Sequence, residues 1–437
     1  MTKGIPSVRR RALAIAAVLT CSALMQELAG IIGTSGVVSD AGVDPLLGLW
    51  VFDAVIAVIC ALGLGLIIDR SPRRRLAIAL LGVFGLGYVA IWAMRLYGVA
   101  PATCYAVLYS VNSVESRLVP LTVWALARDM MSDDEAITWF GPINSISYAG
   151  SFIGGAFAIW AGLQHIAADP MIAIGGLSLI GAALALRRVR ALRHVSLADP
   201  APTPDDPSEA SHHTDSPLSY LLHSPVLRGV ALLLLTNGIA ETAVAHHVIQ
   251  AMYGKSNIWS AGEMAELQAP YGEYRMLICA VAATAGSVLP AYLVRRLGFR
   301  RVFIVTPISL LIALAVVAIW PGEMVAIGVS TFLVVAGAVE SPAVSAYLVR
   351  TPAHLRGRVA AWVEGSTYSI GYIVGSLMIL VLHRQLPNGL MGGELDTGEI
   401  ILLIAAGSSA LALVAMRLSL RHAPLTAALA TPNSQAE

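Results

Sequence analysis

The chain has 437 residues, 57% of them hydrophobic and 13% charged, with a mean hydropathy of +0.74 and a formal net charge of +1. A soluble domain carries about 25% charged residues, so a single water-facing fold is excluded and a bilayer is the solvent that suits this composition. The net charge names no partner, because the charge is segregated into short clusters; nucleic acid is not an expected partner.

A spanning helix needs about 20 mainly apolar residues. In chain order the first half offers six such segments: Ala12–Gly33, Pro45–Ile68, Leu76–Leu96, Ala102–Ala127, Ile137–Leu163 and Pro170–Leu186. The second half offers Leu227–Met252, Tyr271–Val294, Val302–Trp320, Met324–Val349, Val359–Leu382 and Ile400–Leu420. The pattern predicts an all-α integral membrane protein of twelve transmembrane helices. The expected division is an N-terminal six-helix bundle (1–190), a flexible linker (191–222), a C-terminal six-helix bundle (223–422) and a disordered tail (423–437). The linker follows Arg187, Arg188, Arg190 and Arg193 and holds Pro200, Pro202, Pro204 and Pro207 with little apolar content. Its His212-His213 pair is read as solvated rather than metal-binding.

Alternating the segments from an inside N-terminus leaves all but five of the 28 Lys and Arg residues on one side, the exceptions being Arg95, Arg117, Lys255, Arg275 and Arg384. The positive-inside rule then sets both termini in the cytoplasm. The basic N-terminus (Lys3, Arg9, Arg10, Arg11) with its apolar sequel resembles a signal peptide, but the apolar run continues to Gly33 without a cleavage site. Cys21, Cys60, Cys104 and Cys279 all lie inside apolar runs, which suits packing between helices better than a disulfide framework. Trp50, Trp160, Trp259 and Trp320 fall near expected outer ends and read as interface anchors.

Two basic turns punctuate the halves. Gly65-Leu-Ile-Ile-Asp69-Arg70-Ser-Pro72-Arg73-Arg74-Arg75 separates segments two and three, and Arg295-Arg296-Leu-Gly298-Phe-Arg300-Arg301 follows segment eight. Val114-Glu115-Ser116 in segment four is echoed by Val339-Glu340-Ser341 in segment ten. Gly150 and Gly154 in segment five are echoed by Gly371 and Gly375 in segment eleven, and small residues four apart let helices approach closely. Recurrence at half-chain spacing suggests a duplicated membrane protein.

With these residues in view, the chain resembles the major facilitator superfamily. The Gly65…Asp69-Arg70…Arg73-Arg74 turn is similar to that superfamily's signature between helices two and three, with Pro72 where the pattern usually has Gly and Arg295 where the second copy would carry the acid. Arg128-Asp129 through Ala136, Gly150…Gly154-Gly155, and Thr351-Pro352-Ala353-His354-Leu355-Arg356-Gly357-Arg358-Val359 resemble its third drug:proton antiporter subgroup, which includes macrolide and siderophore exporters. The resemblance implies two pseudo-symmetric bundles whose helices one, four, seven and ten line a central cavity. It also implies that the acid of the basic turn, Asp69, meets the N-terminal end of helix eleven near Gly357 when the cytoplasmic side is closed. A carboxylate there is favoured by unpaired backbone N–H groups and the helix dipole.

Carboxyl groups at mid-helix are costly in a bilayer, about 2.5–3.5 kcal/mol each, and so point to function. Glu27, Glu115, Glu241 and Glu340 sit near the midpoints of segments one, four, seven and ten. They are the candidates for proton coupling or for receiving a cationic substrate. Asn112 and Glu115 share a helix face, as do Asn237 and Glu241, and Gln26 adjoins Glu27. Arg117 points away from Glu115 and is read as a partner of Asp53 or Glu27, or as a binder of an anionic group. Asp53 and Glu364 are weaker candidates, each also explicable as a helix–helix hydrogen-bonding residue. Gating candidates are Gly65, Asp69, Arg70, Arg73, Arg74, Asp129, Arg296 and Arg300, with Arg70 or Arg73 expected to pair with Asp129. His246 and His247 lie five and six residues after Glu241, off its face, so a metal site on that helix is not expected.

The sequence lacks a Gly-x-x-x-x-Gly-Lys-Ser/Thr loop, a His-Glu-x-x-His and a Gly-x-Ser-x-Gly motif, which argues against ATP drive and against a membrane enzyme, and no cofactor is expected. The expectation is a monomeric, proton-coupled exporter of an amphiphilic, cationic small molecule in a bacterial-type inner membrane. Rivals on the same fold are an importer or a carrier of a metal ion, metal chelate or lysolipid. A channel is disfavoured, because two six-helix halves suit alternating access better than a fixed pore.

Overall fold

The structure is a computed structural model. It describes residues 8–42, 44–164, 169–188, 216–253, 264–298, 301–305, 307–309, 311–312, 323–385 and eight positions between 403 and 417. Every regular element among the described residues is helical. The longer ones are α1 (Val8–Ala41), α2 (Asp44–Ile68), α3 (Arg73–Leu96), α4 (Pro101–Met130), α5 (Asp133–Leu163) and α6 (Asp169–Arg188). A short α7 (Pro217–His223) precedes α8 (Pro225–Tyr253), α9 (Met264–Leu297) and α10 (Glu323–Leu348). One continuous run then comprises α11 (Ala353–Ala360), a π-helical turn (Ala361–Thr367) and α12 (Tyr368–Gln385).

Eight of these are long and apolar enough to cross a membrane: α1, α2, α3, α5, α6, α8, α9 and the α11–α12 run. That is fewer than the twelve expected. Segment four, α4, has 30 residues but carries Glu115, Arg117, Arg128 and Asp129 among several Ser and Asn residues, which lowers its hydropathy. Segments nine (Val302–Trp320) and twelve (Ile400–Leu420) lie largely outside the described residues, as do Arg300, most of the expected linker and the tail. The last linker residues, from Pro217, are helical and bury Leu221.

Observed helices overrun the apolar segments by several residues. At α5 the cause is local: Ser132 accepts the Glu135 amide N–H on its side chain while the Glu135 carboxylate accepts the Ser132 N–H. This capping box starts the helix at Asp133, four residues before the apolar segment expected from Ile137. Gly42, Gly98 and Gly298 have φ of 82°, 79° and 74° and end α1, α3 and α9, a conformation that other residues adopt only with strain.

Close packing follows the small residues. A Cβ on Gly150 would lie 2.0 Å from the Thr20 carbonyl oxygen, and one on Gly371 would lie 2.0 Å from that of Leu235. Thus α5 presses on α1 and α12 presses on α8 through equivalent glycine pairs. Gly141 of α5 meets the Gly286 carbonyl of α9, where an added Cβ would be 2.9 Å away. The α5–α9 and α2–α12 contacts join the first six helices to the later ones. Large apolar side chains such as Phe52, Ile59, Leu66, Val83 and Leu86 remain exposed on the outer faces of α2 and α3, as a lipid-facing surface requires.

Candidate functional site: a polar cavity and a bonded basic end

The buried interior of the bundle holds two chambers. One, of about 410 Å³, is lined from α1, α2, α4, α5, α8, α9, α10 and α12 and includes Gln26, Glu27, Asp53, Asn112, Arg117, Glu241 and Arg275. The other, of about 280 Å³, lies nearer the end that carries the basic turns and includes Asn237, Glu340, Glu364 and Tyr368. Ser116, Arg117 and Glu241 line both.

The four mid-helix glutamates have different surroundings. Glu27 is 6% exposed and takes a bidentate bond from Arg275 of α9, with Nε to Oε1 at 2.5 Å and Nη2 to Oε2 at 2.9 Å. Glu115 is fully buried; its Oε1 accepts Ser22 Oγ (2.5 Å) and Gln26 Nε2 (3.1 Å), and its Oε2 has no partner among the described residues. Glu340 accepts Asn237 Nδ2 at 3.0 Å. Glu241 accepts the Tyr368 hydroxyl, and the Arg117 guanidinium lies over the Tyr368 ring, 4.4 Å from its centroid. Ser22 and Asn237 are 215 positions apart by subtraction, and Glu115 and Glu340 are 225 apart, so the polar contact of α1 with α4 is repeated between α8 and α10.

Several expectations need correction. Arg117 partners neither Asp53 nor Glu27: Glu27 is taken by Arg275, and Arg117 rests on an aromatic face. Asn237 bonds across to Glu340 instead of joining Glu241 on its own helix. Asn112 accepts the Tyr88 hydroxyl at 3.5 Å rather than supporting Glu115. Gln26 serves Glu115, not its neighbour Glu27. Trp50 is no lipid anchor; it is 3% exposed and packs edge-on against His246 and Tyr372. Asp53 is buried on the wall of the larger chamber with no basic side chain bonded to it among the described residues. Among those residues no cluster of three or more His, Cys, Asp and Glu could hold a metal.

At the basic end, Asp69 accepts the Gly357 N–H (2.9 Å), the Arg358 N–H (3.0 Å), Arg73 Nη2 (2.7 Å) and Arg358 Nε (3.3 Å). Its side chain is 6% exposed. Gly65 packs one turn earlier, where an added Cβ would stand 3.2 Å from that of Ala361. Arg73 also bonds Asp129, which in turn meets Arg356 at 3.4 Å. Arg70 is exposed and outside this web. Arg74 caps the carbonyls of Leu186 and Arg187 at the end of α6. Arg296 bonds Tyr292 on its own helix. Two further bridges join early and late helices: Arg350 to Asp133 at 3.0 Å and Arg295 to Thr138 at 2.8 Å.

Two features lay beyond sequence reasoning. Arg275 was visible only as an arginine on the wrong side of the charge pattern. The pair Arg128–Glu364 was reduced to a weak candidate acid, yet Arg128 is 1% exposed and reaches both Glu364 oxygens at 2.6 Å.

The Major Facilitator Superfamily pattern matches residues 12–376. No curated protein sequence matches the chain. Among solved structures, the human organic anion transporter MFSD10 (TETRAN) is similar at 16% identity and a TM-score of 0.64, over 94% of this chain and all of that one. A bacterial homologue of the iron transporter ferroportin, in an outward-facing state, is similar at 16% identity and 0.65, over 95% and 100%. The proton:xylose symporter XylE is similar at 15% identity and 0.63, over 96% and 97%. At such identities these likenesses carry the fold alone. The chain is therefore a multi-pass membrane protein that belongs to the Major Facilitator Superfamily, a family of secondary transporters and not of enzymes.

Proposed function

We propose that the chain is a proton-coupled exporter of an amphiphilic small molecule that is cationic when charged. It has twelve spans in two six-helix halves and works by alternating access. The reading sets it as a monomer in the inner membrane with both termini and both basic turns in the cytoplasm, and within the third drug:proton antiporter subgroup. The carrying observation is the larger chamber. Glu27 there is bonded to Arg275, while Asp53 and Glu241 face the same space without a bonded basic partner among the described residues. Such a carboxyl group exchanges its proton with water on whichever side the chamber opens. An arriving cation favours the ionised form and displaces the proton, and that competition is sufficient for antiport. The aromatic walls, Trp50, Tyr109, Tyr271 and Tyr372, suit an amphiphile.

The test is transport in proteoliposomes under an imposed pH gradient, with lipophilic cations, neutral compounds and organic anions in parallel. Gradient-dependent movement of cations supports the reading. Movement of anions alone overturns the substrate class, and gradient-independent movement overturns the coupling. One observation favours a second reading. Arg117 faces both chambers with no carboxylate bonded to it among the described residues, which would suit a substrate bearing an anionic group.

A further inference from the structure

Among the described residues, Glu27, Glu115 and Glu241 are bonded to Arg275, to Ser22 and Gln26, and to Tyr368, all away from the web that closes the basic end. Glu364 stands between the two. It lines the smaller chamber with its side chain 20% exposed, and it is bonded to Arg128, the residue before Asp129 of the closing web. Arg128 is as deeply buried as any residue of its size. Its Nη2 donates to both Glu364 oxygens and to Ser345 Oγ at 2.8 Å, while Nε and Nη1 have no partner among the described residues. Among the described residues, Glu364 is thus the one carboxylate bonded to a guanidinium that water does not reach. Removing one member of such a pair leaves an uncompensated buried charge.

The backbone is shaped for this contact. Glu364 occupies the middle of the π-helical turn Ala361–Thr367. Ser366 and Thr367 donate their hydroxyls to the carbonyls five residues back, at 3.2 Å and 2.7 Å, which satisfies the widened turn. Single π turns inside α-helices recur at functional sites. The neighbouring α2 packs closely on this turn through small residues, Gly65 against Ala361 and Ala61 against Gly365. Among the described residues, Arg128 from α4 is bonded to Glu364, and the other charged and titratable groups lining its chamber are Glu340 from α10, Glu241 from α8, Arg117 from α4 and Tyr368 from its own run.

We propose, building on the proton-coupled reading above, that Glu364 couples the state of the smaller chamber to opening of the basic end. Ionised, it holds Arg128, and with it the start of the Asp129–Arg73–Asp69 web. When a proton enters from the chamber, the carboxylate becomes a neutral acid, Arg128 loses the anion bonded to it and the basic end opens. Release of the same proton on that side restores the carboxylate and the closed state. The only covalent bond made or broken is the O–H of Glu364; opening also parts the hydrogen bonds that Asp69 accepts from Gly357 and Arg358. The acid that senses protons for gating is then distinct from those that meet the substrate.

The experiment uses the full-length protein in oriented vesicles with Ser341→Cys in the smaller chamber. A membrane-impermeant maleimide is added from the basic-end side, and labelling is located by mass spectrometry, so the native cysteines can stay. In this parent the expected result is protection at alkaline pH and labelling at acidic pH. Glu364→Gln is expected to label faster than the parent at alkaline pH, by up to about a hundredfold, and equally at all pH, since losing one member of a buried pair costs about 3 kcal/mol or more. Because that variant can misfold, Arg128→Met/Glu364→Gln is the second arm. Removing both charges restores protection and leaves it independent of pH. A parent without a pH response, a Glu364→Gln protein that keeps the parent's response, or a double variant that still responds to pH would each overturn the proposal. Labelling is read without substrate, so failure of gradient-driven transport in the parent would strike the proposed function and leave Glu364 to be judged separately.

Discussion

Replacing Asp69 by Asn keeps the shape of the side chain and removes its charge. In the closed basic end Asp69 receives two backbone N–H groups of α11 and two guanidinium groups. Asparagine retains one acceptor oxygen, which can keep the Gly357 N–H. Its amide nitrogen would then face the Arg358 N–H and Arg358 Nε, setting donors against donors. Hydrogen bonds to charged groups are worth about 1.5–3 kcal/mol each, and part of the loss is relieved by side-chain rotation and water. A net cost of about 3 kcal/mol to the closed basic end follows, a shift of about a hundredfold in the closed-to-open ratio. Spin labels on the exposed positions Asp134 of α5 and His354 of α11 report the change by pulsed electron–electron distance measurement. The predicted outcome is a longer distance population that dominates in Asp69→Asn and is minor in the parent. An unchanged distribution would refute the assignment of this contact as a latch.

Three other outcomes follow from the packing and the buried charges. Arg275→Ala strands the Glu27 carboxylate and is predicted to lower stability by about 3–5 kcal/mol, with most of the loss recovered in Arg275→Met/Glu27→Gln; thermal unfolding in detergent checks both. Gly150→Val and Gly371→Val drive side chains into the Thr20 and Leu235 carbonyls, so each should cost at least about 1–3 kcal/mol and reduce folded yield, whereas Gly82→Val, with open space around it, should not. Ser132→Ala removes one arm of the α5 capping box and should cost about 1 kcal/mol, read as a lower melting temperature without loss of the transport signal.

Much of the helical layout could be read from apolar runs, because hydrophobic length is a local property of the chain. The glycine pairs 150/154 and 371/375 were also legible as close-approach surfaces. Which helices they press on was not, since that depends on partners more than a hundred residues away. The same limit explains the cavity. Glu27 and Glu115 stood out as costly acids, but whether each is paired, hydrogen-bonded or open depends on Arg275, Ser22 and Gln26 arriving from other segments. Arg117 misled because Asp53 and Glu27 are distant in sequence, and nothing local shows that Arg275 takes Glu27 and that the Tyr368 ring meets the Arg117 guanidinium. Trp50 misled because distance from a helix end does not say which face it is on, and its face turns inward to His246 and Tyr372. Segment four was counted by length, although its polar side chains keep it below the hydropathy of its neighbours.

The central claim is that carboxyl groups facing the interior chambers carry protons as the protein changes sides. Its most direct test is the substrate-induced proton signal of purified protein in weakly buffered solution. The parent is predicted to release protons on binding a lipophilic cation. Glu241→Gln, Glu340→Gln and Asp53→Asn, made singly at chamber-lining positions, are predicted to abolish the signal in at least one case while binding persists. Binding without proton release in the parent, or full release in all three variants, would contradict the account.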